Sequence, residues 1–389
     1  MSQTAVDSIE LTKSAVEAVQ AAMPFIESAE KLASALGVFG PLLSIAASIV
    51  KLALGNVDSP ELAYMKEQFQ IVRNKLDVIS DQINDVLLAF RRSTMDSQYF
   101  PIEENIKNQF RKYMDILSTG PQYRQFEKEE FLKHFDASKG DQNLNTLYDA
   151  VMGYSTIFSK PILDTVMSCD QRNRRLMEEF CARLKSLFCI GLIALLGHAA
   201  ITGNDVKTLE KQWNEKLSKV EEKMKSIIDR CINEFAEQAK IDIERMVKEK
   251  EGRDNKQCSS YVLENLEKKY DWVRWSVRVY DPVGGFDNHC IVGSNFIAFF
   301  RLNNVNIVVS YSTDPKAVDE RLVRQLMEGK DHLNDARDVA VYICKNLPGT
   351  GHGVHAVRRY KGLWGSWNFP TECHFWENYS GVTLSVHRT

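Results

Sequence analysis

No two of the eight cysteines form a C-x-x-C pair; they stand singly at 169, 181, 189, 231, 258, 290, 344 and 373. Zinc ribbons and thioredoxin-type redox motifs are built on such pairs. A chain of 389 residues can bury a core without disulfide staples. Most of the cysteines fall on apolar faces of helical segments, so they read as reduced thiols used as small core residues. An excess of one charge is also missing: 49 Lys and Arg against 52 Asp and Glu leave a net charge of −3. That excludes a general affinity for nucleic acid or anionic lipid and leaves only local basic patches for either. The opening residues, MSQTAVDSIELTKSAVEAVQ, have acids where a secretory signal has a basic start, and they contain no apolar run. The expectation is cytoplasmic synthesis, with release as the route to any outside target. An apolar fraction of 44% is ordinary for a globular protein and excludes both a disordered chain and a polytopic membrane protein.

Catalytic signatures are absent as well. Gly349-Thr350-Gly351-His352-Gly353 lacks the Lys-Ser/Thr ending of a phosphate loop. Asp287-Asn288-His289-Cys290, His352 with His355, and Cys373-His374 bring histidine and cysteine into one region, but only the histidine pair has a spacing useful to a metal. Cys290 has no flanking signature of an activated nucleophile. His198 is read as packed or capping. The sequence therefore predicts no enzyme, no cofactor and no metal centre.

Two apolar stretches are present. Leu36–Gly55 carries one charge, Lys51, and has the breakers Gly37, Gly40 and Pro41 at its start. Its span Val38–Leu54 is about 17 residues, short of the ~20 that cross a bilayer. Leu187–Ile201 is the second. Each reads as the central helix of a soluble bundle, apolar all round because it is surrounded, and each is a candidate to insert into a membrane. The insertion candidates are Val38, Phe39, Leu42, Leu43, Ile45, Ile49, Val50, Leu52 and Leu54 in the first, and Phe188, Ile190, Leu192, Ile193, Leu195 and Leu196 in the second.

The rest of the first 255 residues reads as long amphipathic helices. Residues 4–35 form one, with Pro24 kinking or dividing it. Ser59-Pro60-Glu61 opens a second, in which Leu62, Met65, Phe69, Val72, Leu76, Ile79, Ile83, Val86 and Phe90 keep a heptad. That pattern suits packing inside the chain or a zipper between copies. Shorter helices fill 98–160, and Pro161 starts a longer one that runs into the second apolar stretch. Thr202-Gly203-Asn204 is a turn, with Asn204 as a cap. One helix is then expected from Val206 to about Glu251, its apolar positions about 3.7 residues apart.

Beyond residue 255 the composition changes. Trp272–Tyr280 alternates as a strand does, Asn295–Phe300 and Val305–Tyr311 flank an Asn303-Asn304 turn, and Val382–His387 is a last strand. One or two helices lie between Pro315 and Asn346, and the Gly-rich segment from Leu347 to Pro370 reads as a loop. In and near that loop Arg358, Arg359, Lys361, Trp364, Trp367 and Trp376 combine cations with indoles, a composition found at lipid headgroup interfaces and at protein contacts. The fold class is thus mainly α: an elongated bundle of long helices around apolar segments (1–255), with a small α+β module (256–389).

SPELAYMKEQFQIVRNKLDVISDQI, VYDPVGGFDNHC and NVNIVVSYS resemble segments of the cephalotoxin-like and rapunzel proteins of molluscs and fishes. The resemblance implies a helical domain followed by a small C-terminal domain. It links the chain to salivary toxins on one side and to non-venom vertebrate proteins on the other. It carries over no functional residue, and the absent signal departs from a secreted toxin. The leading expectation is a membrane-active protein of the α-helical pore-forming type, with a lipid membrane and further copies of itself as partners, no nucleic acid, and no receptor specified. The alternative is an intracellular, non-lytic interaction protein whose apolar segments never leave the core.

Overall fold

Between Phe180 and Gly197 every side chain of one helix is buried. A computed structural model describes residues 96–154, 160–169, 171–249, 252–330, 335–359 and 362–389. The helix expected at 4–35, the apolar stretch Leu36–Gly55 with its insertion candidates Val38 to Leu54, and the heptad helix from Pro60 all lie outside the described residues. The chain divides into two compact units, the first through Asn233 and the second from Glu234.

The first unit contains helices α1 (Asp96–Ser118), α2 (Arg124–Ala137), α3 (Gln142–Met152), α4 (Ile162–Cys169), α5 (Arg174–Thr202) and α6 (Val206–Asn233). The fully buried helix is α5. Helices α1 and α6 pack along it, with α2, α3 and α4 completing the sheath. Their apolar stripes supply Ile106, Phe110 and Tyr113 from α1 and Trp213, Leu217 and Val220 from α6. The single helix expected from Pro161 through Phe188 is two. Gln171 and Arg172 take positive φ (51° and 56°) between α4 and α5. The side-chain oxygen of Asn173 then accepts from the Leu176 amide at 3.4 Å, which caps α5. The cap of α6 is Asp205, not Asn204: its carboxylate accepts from the amides of Lys207 and Thr208 at 3.1 and 3.2 Å.

The second unit begins where the long helix expected from Val206 to Glu251 divides. Glu234 leaves the helical region (φ −98°, ψ 14°), and α7 (Phe235–Lys248) follows. The apolar stripe continues across the break through Cys231, Phe235 and Ala239, so periodicity alone does not reveal it. Asp254 and Gln257 form a capping box for α8 (Asn255–Lys269). Helices α7 and α8 therefore belong to the C-terminal unit, and the boundary lies about twenty residues earlier than the change in composition suggests.

Among the described residues eight strands follow, in two antiparallel sheets. These are β1 (Arg274–Tyr280), β2 (His289–Val292), β3 (Phe296–Leu302), β4 (Val305–Ser312), β5 (His352–Arg358), β6 (Trp364–Trp367), β7 (His374–Asn378) and β8 (Val382–Arg388), with α9 (Glu320–Met327) and α10 (Ala336–Asn346) between β4 and β5. The sheet orders are β3-β4-β1-β6 and β2-β5-β8-β7. The Gly-rich segment expected as a loop thus holds two strands, and β2 and β7 were not legible either.

Strand alternation sorts the side chains of both sheets. Trp275, Val277, Val279, Ile307 and Val309 pack under α7 and α8. Val354, Ala356, Leu384 and Val386 pack under α9 and α10. The two remaining faces meet each other, giving four layers, α/β/β/α, with one apolar core outside each sheet. Of the described cysteines, none of 181, 189, 231, 258, 290, 344 and 373 is in a disulfide, and six of these seven are buried.

Candidate functional site

The layer between the two sheets is largely polar, which is unusual for a sandwich interior, with one small apolar cluster of Tyr280, Val308 and Val357. Strand β1 turns Ser276, Arg278 and Tyr280 inward, β4 turns Asn306 and Ser310, β8 turns Thr383, Ser385 and His387, and His289, His355 and His374 come from β2, β5 and β7. Arg278 is 1% exposed. Its guanidinium donates to Ser385 Oγ at 3.1 Å across the layer and to Ser310 Oγ within its own sheet. His374 Nε2 lies 3.1 Å from Ser276 Oγ and 3.2 Å from Ser385 Oγ, and Tyr280 Oη lies 3.1 Å from His289 Nδ1.

Burial, with the Arg278 charge beside it, lowers the pKa of His355 and His387 far below the usual histidine range and that of His374 to about 3. Burial lowers His289 as well. Arg278 is pushed down by burial to about 9, so it stays charged at neutral pH while the histidines around it are neutral. Cys290 is the neighbour of His289 on β2 and packs with the α10 core on the opposite face; burial raises its thiol. Among the described residues no group of three or more His, Cys, Asp or Glu converges as metal ligands would.

This layer opens at one edge. Strands β6 and β7 are edge strands of their sheets, and between them lies a recess of about 390 Å³. Trp364, Trp367 and Trp376 wall it, with Arg359, Asn378 and Thr383 among the rest of its lining. Trp367 stacks on His374 (centroids 4.7 Å apart, rings 29° from parallel) and on Trp376 (5.7 Å, 23°), which ties the recess to the buried network. Gly365 makes room for this: a Cβ there would stand 2.9 Å from the Trp376 ring. Trp364 and Trp367 are still 47% and 42% exposed. The Lys256 ammonium sits 5.3 Å from the centroid of the Trp364 ring. The Arg359 amide donates to Gly381 O at 3.2 Å, which anchors that residue against the β7–β8 turn. The Thr383 hydroxyl donates to Asn378 Oδ1 at 2.6 Å.

Of the six cation and indole residues singled out in the sequence, Arg359, Trp364, Trp367 and Trp376 thus come together. Arg358 does not line the recess; its guanidinium reaches Asn288 Oδ1 at 3.5 Å. Lys361 lies outside the described residues. The inner-face residues Arg278, Ser385 and Thr383 were not picked out, although the alternation in VTLSVHR puts every polar residue from Thr383 to His387 on one face.

The second candidate is α5. Phe188, Ile190, Leu192, Ile193, Leu195 and Leu196 are all buried in the core of the first unit. Two cations lie just before them. Arg183 pairs with Glu103 of α1, both buried, through Nε to Oε2 at 3.1 Å and a second, shorter contact. Lys107 adds a contact of 2.8 Å to the same carboxylate. Burial works to raise the Glu103 pKa, but the Arg183 and Lys107 charges outweigh it and hold the carboxyl below its ordinary value. Lys185 is buried too.

Residues 56–252 match the family described as the cephalotoxin-like middle helical domain. That span covers α1 to α7 and ends before β1. Protein rapunzel of Danio rerio is 42% identical over 206 residues, 53% of this chain and 91% of that protein. No solved structure matches the chain.

Proposed function

Because the chain belongs to the cephalotoxin-like family, and because the one described helix long and apolar enough to cross a membrane is enclosed by the rest of its unit, we propose that it is a membrane-active helical protein, one that releases α5 into a bilayer and oligomerises there. The enclosure of α5 carries the reading. It is 29 residues long and apolar enough to cross a membrane by length and composition. Ser186–Ile201, 16 residues, contains no Asp, Glu, Lys or Arg and would extend about 24 Å as a helix. Arg183 and Lys185 stand at one end, where long cationic side chains reach the headgroups from a short span. A single such helix cannot line an aqueous pore, so permeation requires several copies. The recess between β6 and β7, with two part-exposed indoles, supplies a first contact with the interface.

The rival reading, an interaction protein with no insertion, draws on the seating of α5. A Cβ at Gly197 would stand 2.4 Å from the Tyr113 ring, and one at Gly191 would stand 2.6 Å from Leu144. Helix α5 is interlocked with α1 and α3, as a permanent core helix is.

Dye release from liposomes separates the two. Folded full-length protein should release dye from at least one of a series of lipid compositions and pH values, with a steep dependence on protein concentration that reports oligomerisation. Intact, folded protein that releases nothing anywhere in that series would overturn the membrane reading in favour of the interaction protein.

A further inference from the structure

We propose that the recess between β6 and β7 binds the phosphocholine headgroup, with the quaternary ammonium against the indoles of Trp364, Trp367 and Trp376 and the phosphate on Arg359. The proposal rests on the membrane reading above and names what the recess takes from the membrane.

The first argument is charge. Among the described residues the lining holds one cation, Arg359, and no carboxylate. Glu377, next to Trp376 on β7, is engaged elsewhere, accepting from Arg324 Nε at 2.9 Å. A ligand with one negative charge is therefore matched, and a guanidinium offers a phosphate two parallel donors.

The second argument is hydrogen bonding. A primary ammonium or a sugar needs acceptors or donors at every turn. One of the acceptors in the recess, Asn378 Oδ1, already accepts from the Thr383 hydroxyl. A quaternary ammonium has no N–H, asks for none, and is attracted by ring faces alone. Lys256 shows the same attraction, holding its ammonium over Trp364 although it brings donors that the ring satisfies poorly.

The third argument is position and size. About 390 Å³ lies within the usual range of small-ligand sites. The recess sits on two sheet edges with part-exposed indoles at its rim, so the ester of a bound headgroup has a way out toward its lipid.

Soluble phosphocholine, as its glycerol diester so that the phosphate carries one negative charge as it does in the lipid, tests the site without a membrane. Titrated into the full chain it should quench tryptophan fluorescence and bind measurably by calorimetry. Choline alone and inorganic phosphate alone, each keeping half of the contacts, should bind about tenfold more weakly or less. Trp364→Ala and Arg359→Gln, at exposed positions, should each weaken phosphocholine about tenfold without moving the thermal midpoint. Flotation should then show the protein on phosphatidylcholine vesicles in preference to phosphatidylglycerol vesicles, and soluble phosphocholine should displace it.

The inference is overturned if phosphocholine at millimolar concentration does not bind, if both variants bind as the parent does, or if inorganic phosphate binds as tightly as phosphocholine. Binding without dye release would leave the headgroup site standing and remove insertion. Dye release untouched by Trp364→Ala and Arg359→Gln, with no phosphocholine binding, would do the reverse.

Discussion

Gly197 lacks a side chain at the point where the ring of Tyr113 fills the space beside α5. A methyl group there would lie 2.4 Å from one ring carbon and 2.7 Å from the next. Tyr113 is 1% exposed and its ring has nowhere to swing. At Gly191 the nearest atom, 2.6 Å away, is the far end of the Leu144 side chain, which can change rotamer. Replacing glycine by alanine in a helix interior gains up to ~1 kcal/mol of propensity, while overpacking a core costs ~1–3 kcal/mol. The balance differs at the two sites. Gly197→Ala should lower stability by about 1–2 kcal/mol in urea unfolding, and Gly191→Ala should be near neutral. Equal effects would mean that the α1–α5 contact is looser than the structure has it. At this scale the sequence was legible where composition is rare: tryptophans beside arginines marked four residues of the recess. It was silent on Gly197, Arg278 and Ser385, because a glycine in an apolar run and a cation in a strand look alike whether or not something packs on them.

Among the elements, α5 is held by its apolar surface and tied to α1 by one buried ion pair. Glu103 is 5% exposed and neutralises Arg183 inside the bundle, with Lys107 as a second partner. Removing one partner of a buried pair costs far more than removing both, since a lone buried charge is left behind. Glu103→Gln should therefore destabilise the first unit by about 3–5 kcal/mol. The double change Glu103→Leu with Arg183→Met should recover most of that loss. If the loss persists in the double variant, packing at these positions and not charge holds the helix. Under the membrane reading Glu103→Gln should also release dye at lower protein concentration, because it frees α5 from its partner. The fold of these elements was legible where one period dominates, as in α1, α5, α6, β1, β4 and β8. It was hidden where the polar face of a strand is turned inward. In HGVHAVR of β5 the residues facing the second sheet are Gly353, His355 and Val357, and a face with one apolar residue in three reads as a loop. The break at Glu234 was hidden for a different reason: the apolar stripe runs straight through it.

The molecule as a whole places its buried histidines unequally, and this sets how it should respond to acid. His355, His374 and His387 lie deep in the second unit beside Arg278, all with lowered pKa. In the first unit burial lowers the pKa of His134 and His198 too, but both are only half-buried, so each has less stability to lose. A histidine whose folded pKa lies below its unfolded value near 6.5 adds stability that is fully present above that pH. The stability is lost as pH falls, by about 1.4 kcal/mol per unit for each group, because only the unfolded chain takes up the proton. Three such groups approach ~4 kcal/mol per pH unit, against a domain stability of ~5–15 kcal/mol. Glu103, the depressed carboxylate of the first unit, works lower: its contribution is present above about 4.3, the ordinary glutamate value, and is lost only below it. Between about pH 6.5 and 4.5 the sandwich should therefore unfold while the helical unit stands. Two probes can see this separately. Five of the six tryptophans, all but Trp213, lie in the second unit, so fluorescence follows the sandwich, while circular dichroism at 222 nm is weighted to the helices. Acid titration should give a fluorescence transition that precedes the loss of helical signal, and His374→Gln with His387→Asn, in a variant that folds at pH 8, should shift the first transition to lower pH and leave the second in place. Coincident transitions, or a first transition unmoved by those substitutions, would show that the histidine layer does not set the acid limit of the second unit.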